Sequence, residues 1–212
     1  MSRNRGLIVC GAILLMASAL GLAQTETSRK FWNFTTPPIQ MTPPGFRAAT
    51  GEWRVVEDAG NRVLAQEAKN PDEMFNVILV EGYVCKDVDL SVRLKAVHGE
   101  LDQGGGLVWR ARDARNYYIA RFNPLESNFR VYKVVDGKRT MFKSADVTPG
   151  PGWHTLRVTM TGDSIRCTLD GKRYLDAKDA TFKDAGKIGL WTKADAQSFF
   201  DDLSVAQGGE KP

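Results

Sequence analysis

The sequence is poor in the residues that build most metal and nucleophile centres. It has two histidines and three cysteines among 212 residues. His98 and His154 are too few for a histidine-rich metal centre, and Cys10 lies in a leader-like segment. Cys85 and Cys167 are too far apart in the chain to form a metal-binding motif. We therefore expect that the protein requires no cofactor.

A strong charge of either sign is also absent. The chain has 29 Lys and Arg against 25 Asp and Glu, and its lysines are scattered rather than clustered. Removal of the leader described next would take away two arginines and no acid, which brings the balance closer to neutrality. Such a balance offers no electrostatic footprint for nucleic acid or for an anionic membrane surface. We expect neither as a partner after the leader is removed, and we expect a monomer.

Long apolar stretches are missing except at the amino terminus. Two arginines precede the uncharged run 6–22, and Gly21 and Ala23 then place small residues at the −3 and −1 positions of a cleavage site. This pattern predicts a signal peptide over residues 1–23, a mature chain that begins at Gln24, and a secreted or periplasmic location. An uncleaved membrane anchor is the alternative, although the run is shorter than the ~20 apolar residues typical of a spanning helix.

The mature chain divides into three parts. Residues 24–46 contain two Pro-Pro steps, which fix an extended backbone and exclude helix, and three aromatic residues lie just before the first step. We expect this segment to be a strap docked on the domain. The domain itself is expected over residues 47–207, followed by a disordered tail over residues 208–212.

Short β-like runs recur through this domain, and no stretch is long enough for a substantial amphipathic helix. Segments 87–94 and 155–160 alternate apolar and polar residues with period two. Asp136-Gly137 and Asp170-Gly171 are typical hairpin turns flanked by such runs. Many short strands joined by tight turns predict an all-β fold, either a two-sheet antiparallel sandwich or a barrel.

The strand phase predicts the state of the two mature cysteines. Cys167 alternates with Ile165 and Leu169, which is typical of a core position. Cys85 is out of phase with the apolar residues of the run that follows it. We expect Cys167 to be buried and unpaired, and a disulfide to Cys85, which an oxidising compartment would permit, is the alternative.

The stretch 104–135 can be arranged as three adjacent strands with two distinct faces. Pairing Arg110 with Ile119, and Asn123 with Asn128, places like residues on the same side. The predicted core face carries Leu107, Trp109, Ala111, Tyr118, Ala120, Phe122, Phe129 and Val131. The opposite face carries the candidate ligand-binding residues Arg110, Tyr117, Arg121, Asn123, Asn128, Arg130 and Tyr132.

This polar face suits a hydroxyl-rich ligand. Its arginines would donate hydrogen bonds to sugar hydroxyls or to a carbonyl, its asparagines would fix the orientation of the sugar, and its tyrosines would supply stacking surfaces. The alternative is an ordinary outer sheet face with cross-strand Arg–Tyr contacts, and the pattern does not separate the two. If Arg110 and Arg121 share the ligand face, Trp109→Ala should cost ~3–5 kcal/mol. Arg121→Ala should then change stability by no more than roughly 1 kcal/mol and weaken any sugar binding.

Several blocks of the sequence carry a resemblance to a known family. They are Gly-Gly-Gly-Leu-Val-Trp-Arg at 104–110, Asn-Tyr-Tyr at 116–118, Trp-His-Thr-Leu-Arg-Val at 153–158, Gly-Lys-Ile-Gly-Leu-Trp at 186–191 and Phe-Asp-Asp-Leu at 200–203. This order resembles the concanavalin A-like lectin and glucanase sandwiches, in particular the bacterial secreted, laminin-G-like domains of 3-keto-disaccharide hydrolase type. The resemblance spans roughly residues 50–205. It implies a jelly-roll sandwich that binds or processes a glycan on its concave sheet, and the same fold also serves adhesive and structural modules.

The hydrolase implied by this resemblance needs two carboxylates ~5 to 9.5 Å apart. Laminarinase-type enzymes of this fold carry Glu-x-Asp-x-x-Glu on one strand. Glu100 and Asp102 match the first two positions, but Gly105 stands at the third. We therefore expect no laminarinase-type chemistry, and Asp102 and Glu126 are the candidate acid and base for another hydrolase type.

A pair of acids in the last predicted strand suggests a metal position. Asp201 and Asp202 lie where many sandwiches of the resembled type hold a structural Ca²⁺ through oxygen ligands. We prefer the alternative, in which one acid faces solvent at the end of the strand, so the pair is only a minor calcium candidate.

Overall fold

The computed structural model describes residues 29–207, which form β-strands joined by turns and loops. The strands are β1 (Arg29–Trp32), β2 (Phe46–Thr50), β3 (Trp53–Asp58), β4 (Asn61–Gln66), β5 (Phe75–Val80), β6 (Val88–His98), β7 (Gly105–Asp113), β8 (Asn116–Asn123), β9 (Asn128–Val135), β10 (Lys138–Asp146), β11 (Trp153–Thr161), β12 (Ser164–Leu169), β13 (Lys172–Lys178), β14 (Lys187–Lys193) and β15 (Gln197–Gln207). Within this range we find no helix with the length and apolar composition needed to cross a membrane. The predicted leader and tail lie outside the described residues.

The strands form two antiparallel sheets, as the sequence predicts. The eight-stranded sheet has the order β13-β12-β11-β6-β15-β4-β3, and β1 pairs with β15 beyond the end of β4. The seven-stranded sheet has the order β10-β9-β8-β7-β14-β5-β2. Hairpin pairs of consecutive strands flank central pairs of strands that are distant in sequence, such as β6 with β15 and β7 with β14, which is the connectivity of a jelly-roll sandwich. The fold is therefore an all-β, two-sheet sandwich.

Local sequence explains the hairpins that were predicted. Asp136 and Asp170 have φ of 50°, and Gly137 and Gly171 have φ of 81° and 78°. Two successive residues in the left-handed region are what a type I′ turn requires, and Asp-Gly is among the pairs that adopt it most readily. These turns set the pairing of β9 with β10 and of β12 with β13.

The main core lies between the two sheets. Every predicted core residue of segment 104–135 except Ala111 belongs to it, and Trp109 and Tyr118 stack there with ring centroids 5.5 Å apart. Cys167 is buried in the same core and unpaired, as predicted, and Cys85 is also buried and unpaired. Burial raises the pKa of the Cys85 thiol to about 11, so this thiol stays protonated at neutral pH.

The segment before β2 is docked on the sandwich. β1 pairs along the second half of β15, and Phe34 is buried in the main core. Farther along, the backbone of Gln40 donates to the carbonyl of Val55 at 2.8 Å. These contacts cover part of the exposed sheet edge, which is one way that proteins protect edge strands.

Candidate functional site

Side chains on the outer face of the seven-stranded sheet meet across several strands. β10 and β14 are four strand spacings apart in this sheet, which would separate them by roughly 19 Å if the sheet were flat. The Arg139 guanidinium of β10 nevertheless lies 5.6 Å from the ring of Trp191 on β14. The two long side chains lie along the outer face and span this separation, and we call the face that carries them the concave face.

The floor of the concave face is a second, smaller apolar cluster. It contains Val77, Leu79, Val108, Ala111, Tyr117, Ile119, Tyr132, Val134 and Trp191, with Phe75 packed against them. Polar residues gather at one end of this cluster, around Arg121. We call Asp102, Arg121, Asn123, Glu126, Asn128, Arg130, Tyr132, Arg139 and Lys193 the Arg121 cluster.

Arg121 is the centre of this cluster and is only 1% exposed. Its Nη2 donates to both carboxylate oxygens of Asp102 at 2.9 Å and to Oε1 of Glu126 at 3.2 Å. One guanidinium nitrogen thus binds both of the acids that the sequence offered as candidates. The two carboxylates come from separate loops, one before β7 and one between β8 and β9.

The loop that carries Asp102 is fixed by a backbone-binding carboxylate. Asp195 accepts hydrogen bonds from the backbone N–H groups of Glu100, Leu101 and Asp102 at 2.7 to 3.1 Å. The Asp102 side chain also accepts from Nδ2 of Asn123 at 3.0 Å. Burial raises the pKa of Asp102, and the opposing charge of Arg121 only partly offsets this effect.

Glu126 lies in the turn between β8 and β9 and is surrounded by donors. Its side chain accepts from Nδ2 of Asn128 at 2.9 Å and from Nη1 of Arg130 at 2.9 Å. Its backbone N–H donates to Oδ1 of Asn123 at 2.8 Å. Burial alone would raise the pKa of Glu126, but the hydrogen bond from Asn128 and the charges of Arg121 and Arg130 outweigh it and lower the pKa. The two acids therefore differ, with Asp102 favouring its protonated form more than Glu126 does.

Three buried polar atoms in the Arg121 cluster have no hydrogen-bond partner among the described residues. They are Nε of Arg121, Oδ1 of Asn128 and Nη1 of Arg139. Buried polar groups in native proteins are almost always paired, because an unpaired group costs free energy. Two unpaired donors and one unpaired acceptor in one cluster are available to hydrogen-bond a ligand or ordered water.

The structure brings together five of the seven predicted ligand-binding residues, namely Arg121, Asn123, Asn128, Arg130 and Tyr132. The predicted pairing of Asn123 with Asn128 is confirmed, and Arg121 lies opposite Arg130 in the same register. The Tyr132 hydroxyl lies 3.5 Å from Nη1 of Arg121. Register reasoning from the turn between β8 and β9 was sufficient to group these residues.

Arg110 is not on the concave face, and its predicted pairing with Ile119 is wrong. Val108 pairs with Ile119 instead, and a bulge follows Trp109. Arg110 adopts a φ of 47° in this bulge, which turns its side chain toward the loops of the other sheet. There the guanidinium donates to the carbonyls of Lys86, Phe182 and Gly162 at 2.7 to 2.8 Å.

The structure also corrects the predictions for Ala111, which follows the bulge, and for Tyr117. Ala111 belongs to the apolar cluster of the concave face rather than to the main core. Tyr117 lies on the expected face but is fully buried, and its hydroxyl accepts a hydrogen bond from Nε1 of Trp191 at 3.0 Å. Tyr117 is therefore part of the floor and offers no ring surface on which a sugar could stack.

Arg139 and Lys193 are the site residues that sequence reasoning missed. Arg139 is paired with Val134 in the β9–β10 hairpin, so the Asp136-Gly137 turn contained the signal that places it on the face of Tyr132. Lys193 alternates with Trp191 along β14, but its proximity to Asp102, at 3.8 Å, comes from loop geometry.

The calcium candidates Asp201 and Asp202 are both engaged by protein groups. Asp201 is buried and accepts a hydrogen bond from Nδ2 of Asn61 at 2.8 Å. Asp202 lies 3.4 Å from Nη1 of Arg93. Over residues 29–207, no group of three or more His, Cys, Asp or Glu side chains is arranged to hold a metal ion.

Comparison with known proteins identifies the fold. No protein-family model and no curated protein matches the chain. Carbohydrate-binding module CBM66 from Bacillus subtilis superposes with a TM-score of 0.67 at 20% identity, covering 79% of this chain and 97% of that chain. A β-glucanase from Bacillus licheniformis superposes with a TM-score of 0.60 at 12% identity, covering 85% and 98%.

A third structure of this kind is the GH43 protein BlXynB from Bacillus licheniformis. Its TM-score is 0.62 at 13% identity, and the match covers 84% of this chain and 39% of that chain. At these identities the similarity shows a shared sandwich fold of the concanavalin A-like type.

Proposed function

We propose that the protein is a glycan-binding β-sandwich that works outside the cytoplasm and holds its ligand at the Arg121 cluster on the concave face. The observation that carries this proposal is the set of unpartnered buried atoms on Arg121, Asn128 and Arg139. A sugar hydroxyl both donates and accepts, so neighbouring hydroxyls would satisfy the arginine donors and the asparagine acceptor together. The carbohydrate-binding and glycosidase names of the structural neighbours support this chemistry.

The rigidity of the cluster favours binding. Arg121 and Asn123 are almost fully buried, and their side chains are fixed by Asp102 and Glu126. A site of fixed donors loses little conformational entropy when a ligand arrives, which favours affinity. The Arg139 guanidinium, which lies 4.6 Å from the ring centroid of the buried Tyr132, would provide a flat surface against a sugar ring.

A conservative substitution tests the proposal without emptying the cluster. Arg121→Lys keeps a cation beside Asp102 but removes the Nε donor and the planar fork. We expect isothermal titration of the wild-type chain against a panel of oligosaccharides to find a ligand, and Arg121→Lys to weaken its binding at least ~10-fold. Arg93→Lys, on the outer face of the other sheet, is the matched control and should bind as the wild type does. Absence of binding to every oligosaccharide would leave the structural or adhesive role instead, whereas equal binding by Arg121→Lys would place the glycan away from the Arg121 cluster.

A second candidate function is glycoside hydrolysis, which the carboxylate pair favours. Asp102 and Glu126 lie on either side of one Arg121 nitrogen and their pKa values move in opposite directions. An acid with a raised pKa beside an ionised partner is the division of roles that glycosidases use. Product analysis on the bound oligosaccharide tests it, because Asp102→Asn and Glu126→Gln should each abolish cleavage. If the wild-type chain binds that oligosaccharide and leaves it intact, the protein is a binding module.

The extracytoplasmic location rests on the leader, so its processing is part of the proposal. We expect secreted or periplasmic protein to begin at Gln24, because Gly21 and Ala23 fit the cleavage pattern. Mass spectrometry of the exported protein measures this directly. Protein that retains residues 1–23 would indicate the membrane-anchor alternative.

A further inference from the structure

Arg139 is a largely buried cation without an ion-pair partner in the described part of the chain. Its guanidinium lies against three aromatic rings, 4.6 Å from the centroid of Tyr132, 5.4 Å from Phe75 and 5.6 Å from Trp191. Burial lowers the pKa of Arg139 and the charge of nearby Arg121 adds to this effect, while Tyr132, Asp102 and Glu126 offset only part of it. The rings provide cation–π attraction, but they are weak acceptors, and the buried Nη1 has no oxygen or nitrogen acceptor in the described part of the chain.

The acids around Arg139 are already paired with other cations. Asp102 pairs with Arg121 and lies 3.8 Å from Lys193, and Glu126 pairs with Arg121 and Arg130. Lys193 also binds Asp72. The four cations are Arg121, Arg130, Arg139 and Lys193, and the three carboxylates near them are those of Asp102, Glu126 and Asp72. Arg139 is the cation that has no carboxylate of its own within residues 29–207.

A partly desolvated cation whose charge is only partly offset is costly unless an anion pairs with it. An arginine presents a planar fork of donors that matches a carboxylate in two parallel hydrogen bonds. A neutral sugar would fill the hydrogen bonds of Arg121 and Asn128 but would leave the charge of Arg139 without a partner. Arg139 therefore favours a sugar that carries a carboxylate over a neutral sugar as the ligand of the concave face.

We propose that the ligand of the concave face is an acidic glycan, and that Arg139 binds the carboxylate of a uronic acid residue while Arg121 and Asn128 bind its ring hydroxyls. This inference rests on the proposed function, because it names the ligand class of the same site. The rings of Tyr132 and Phe75 flank the guanidinium and would exclude water from the resulting ion pair, which strengthens it. Arg139 then acts as the residue that determines specificity.

Matched acidic and neutral ligands test this assignment. The probes are trigalacturonate and triglucuronate, the fully methyl-esterified form of each, and a sulfated trisaccharide without uronic acid. In titrations of the full chain, we expect one of the free uronates to bind about 10- to 100-fold more tightly than its methyl ester. Arg139→Gln should remove this preference, so that the free uronate and its ester bind equally, and Arg139→Lys should keep part of it. Arg166→Gln, on the other sheet, is the control and should keep all of it.

The outcomes separate this inference from the proposed function. Equal binding of a free uronate and its ester, or a preference that survives in Arg139→Gln, would overturn the role of Arg139 and leave glycan binding intact. Tighter binding of the sulfated probe than of either uronate would overturn the carboxylate assignment. Failure of every acidic and neutral glycan to bind would overturn both. Thermal melts of each variant confirm that the compared proteins are folded.

Discussion

Arg121 binds two carboxylates through one nitrogen, and these contacts change the loss of stability expected for Arg121→Ala. The sequence placed Arg121 on an outer face and predicted that Arg121→Ala would cost little. The structure buries the guanidinium against Asp102, which is itself buried. Removing one partner of a buried ion pair leaves the other charge uncompensated, which typically costs about 3–5 kcal/mol.

We therefore expect Arg121→Ala to destabilise the chain by ~3–5 kcal/mol, and Arg121→Lys to cost much less because a cation stays beside Asp102. Equilibrium denaturation in urea measures both. The double variant Arg121→Ala/Asp102→Ala provides the control, since it removes the unpaired charge and should recover part of the loss. Equal, small effects of Arg121→Ala and Arg121→Lys would show that the pair is not buried.

At the scale of the strand, the bulge in β7 decides which arginine can bind a ligand. Arg110 has a φ of 47° and its guanidinium crosses to the loops of the opposite sheet. Gly186 allows this close approach, because a Cβ there would lie 2.4 Å from the Arg110 carbonyl carbon. Arg110 is therefore a structural residue that ties the two sheets together.

Arg110→Ala should destabilise the chain by roughly 3–5 kcal/mol, because three backbone carbonyls lose a charged donor inside the protein. Glycan affinity should be unchanged, since the side chain is directed away from the concave face. Urea denaturation gives the first quantity and titration of the folded variant gives the second. A stable Arg110→Ala variant with weakened glycan binding would restore the register predicted from the sequence.

At the scale of the strand, some elements could be predicted from the sequence and others could not. Period-two runs and the Asp-Gly turns were enough to predict β6, β11 and two hairpins, because these patterns are local. The face shared by Arg121 and Asn128 followed from one short turn. The bulge at Arg110 could not be foreseen, because nothing in a Trp-Arg-Ala triplet marks a non-glycine residue with positive φ. The meeting of Asp102 with Glu126 depends on two loops that only the folded sheets bring together.

At the scale of the whole molecule, the loop after β13 is held to the concave sheet by Asp179. The Asp179 carboxylate accepts from Lys133 at 2.8 Å and from the Tyr118 hydroxyl at 2.6 Å. Burial alone would raise the pKa of Asp179, but hydrogen bonds from Lys133, Thr181 and Tyr118 outweigh it and lower the pKa to about 2 from an ordinary 3.8. The carboxylate therefore stabilises the fold in its ionised form.

Because the folded pKa lies below the unfolded one, this stabilisation is complete above pH ~4 and is lost as the pH falls toward ~2. We expect Asp179→Asn to lower stability at neutral pH and to flatten the loss of stability between pH 4 and 2. Urea denaturation as a function of pH measures it. Asp184→Asn, at an exposed position in the same loop region, should leave the profile unchanged. An unaltered acid profile in Asp179→Asn would contradict this role of the carboxylate.

The sandwich gives the protein two buried clusters with different roles. The core between the sheets contains the aromatic and aliphatic side chains that hold the fold, whereas the cluster inside the concave face ends in polar groups with unpaired atoms. The central claim is that a glycan binds at these atoms. This claim predicts that a bound glycan contacts Arg121 and Arg139 and contacts no arginine on the other sheet.

Side-chain NMR of the arginine Nε–H groups tests this claim most directly. The wild-type chain is labelled with ¹⁵N-arginine and titrated with the oligosaccharide that binds best, and single substitutions assign the signals. We predict that the signals of Arg121 and Arg139 shift in proportion to occupancy, while those of Arg110 and Arg166 stay in place. Shifts at Arg166 with unmoved signals for Arg121 and Arg139 would contradict the account, and so would a titration that moves no arginine signal.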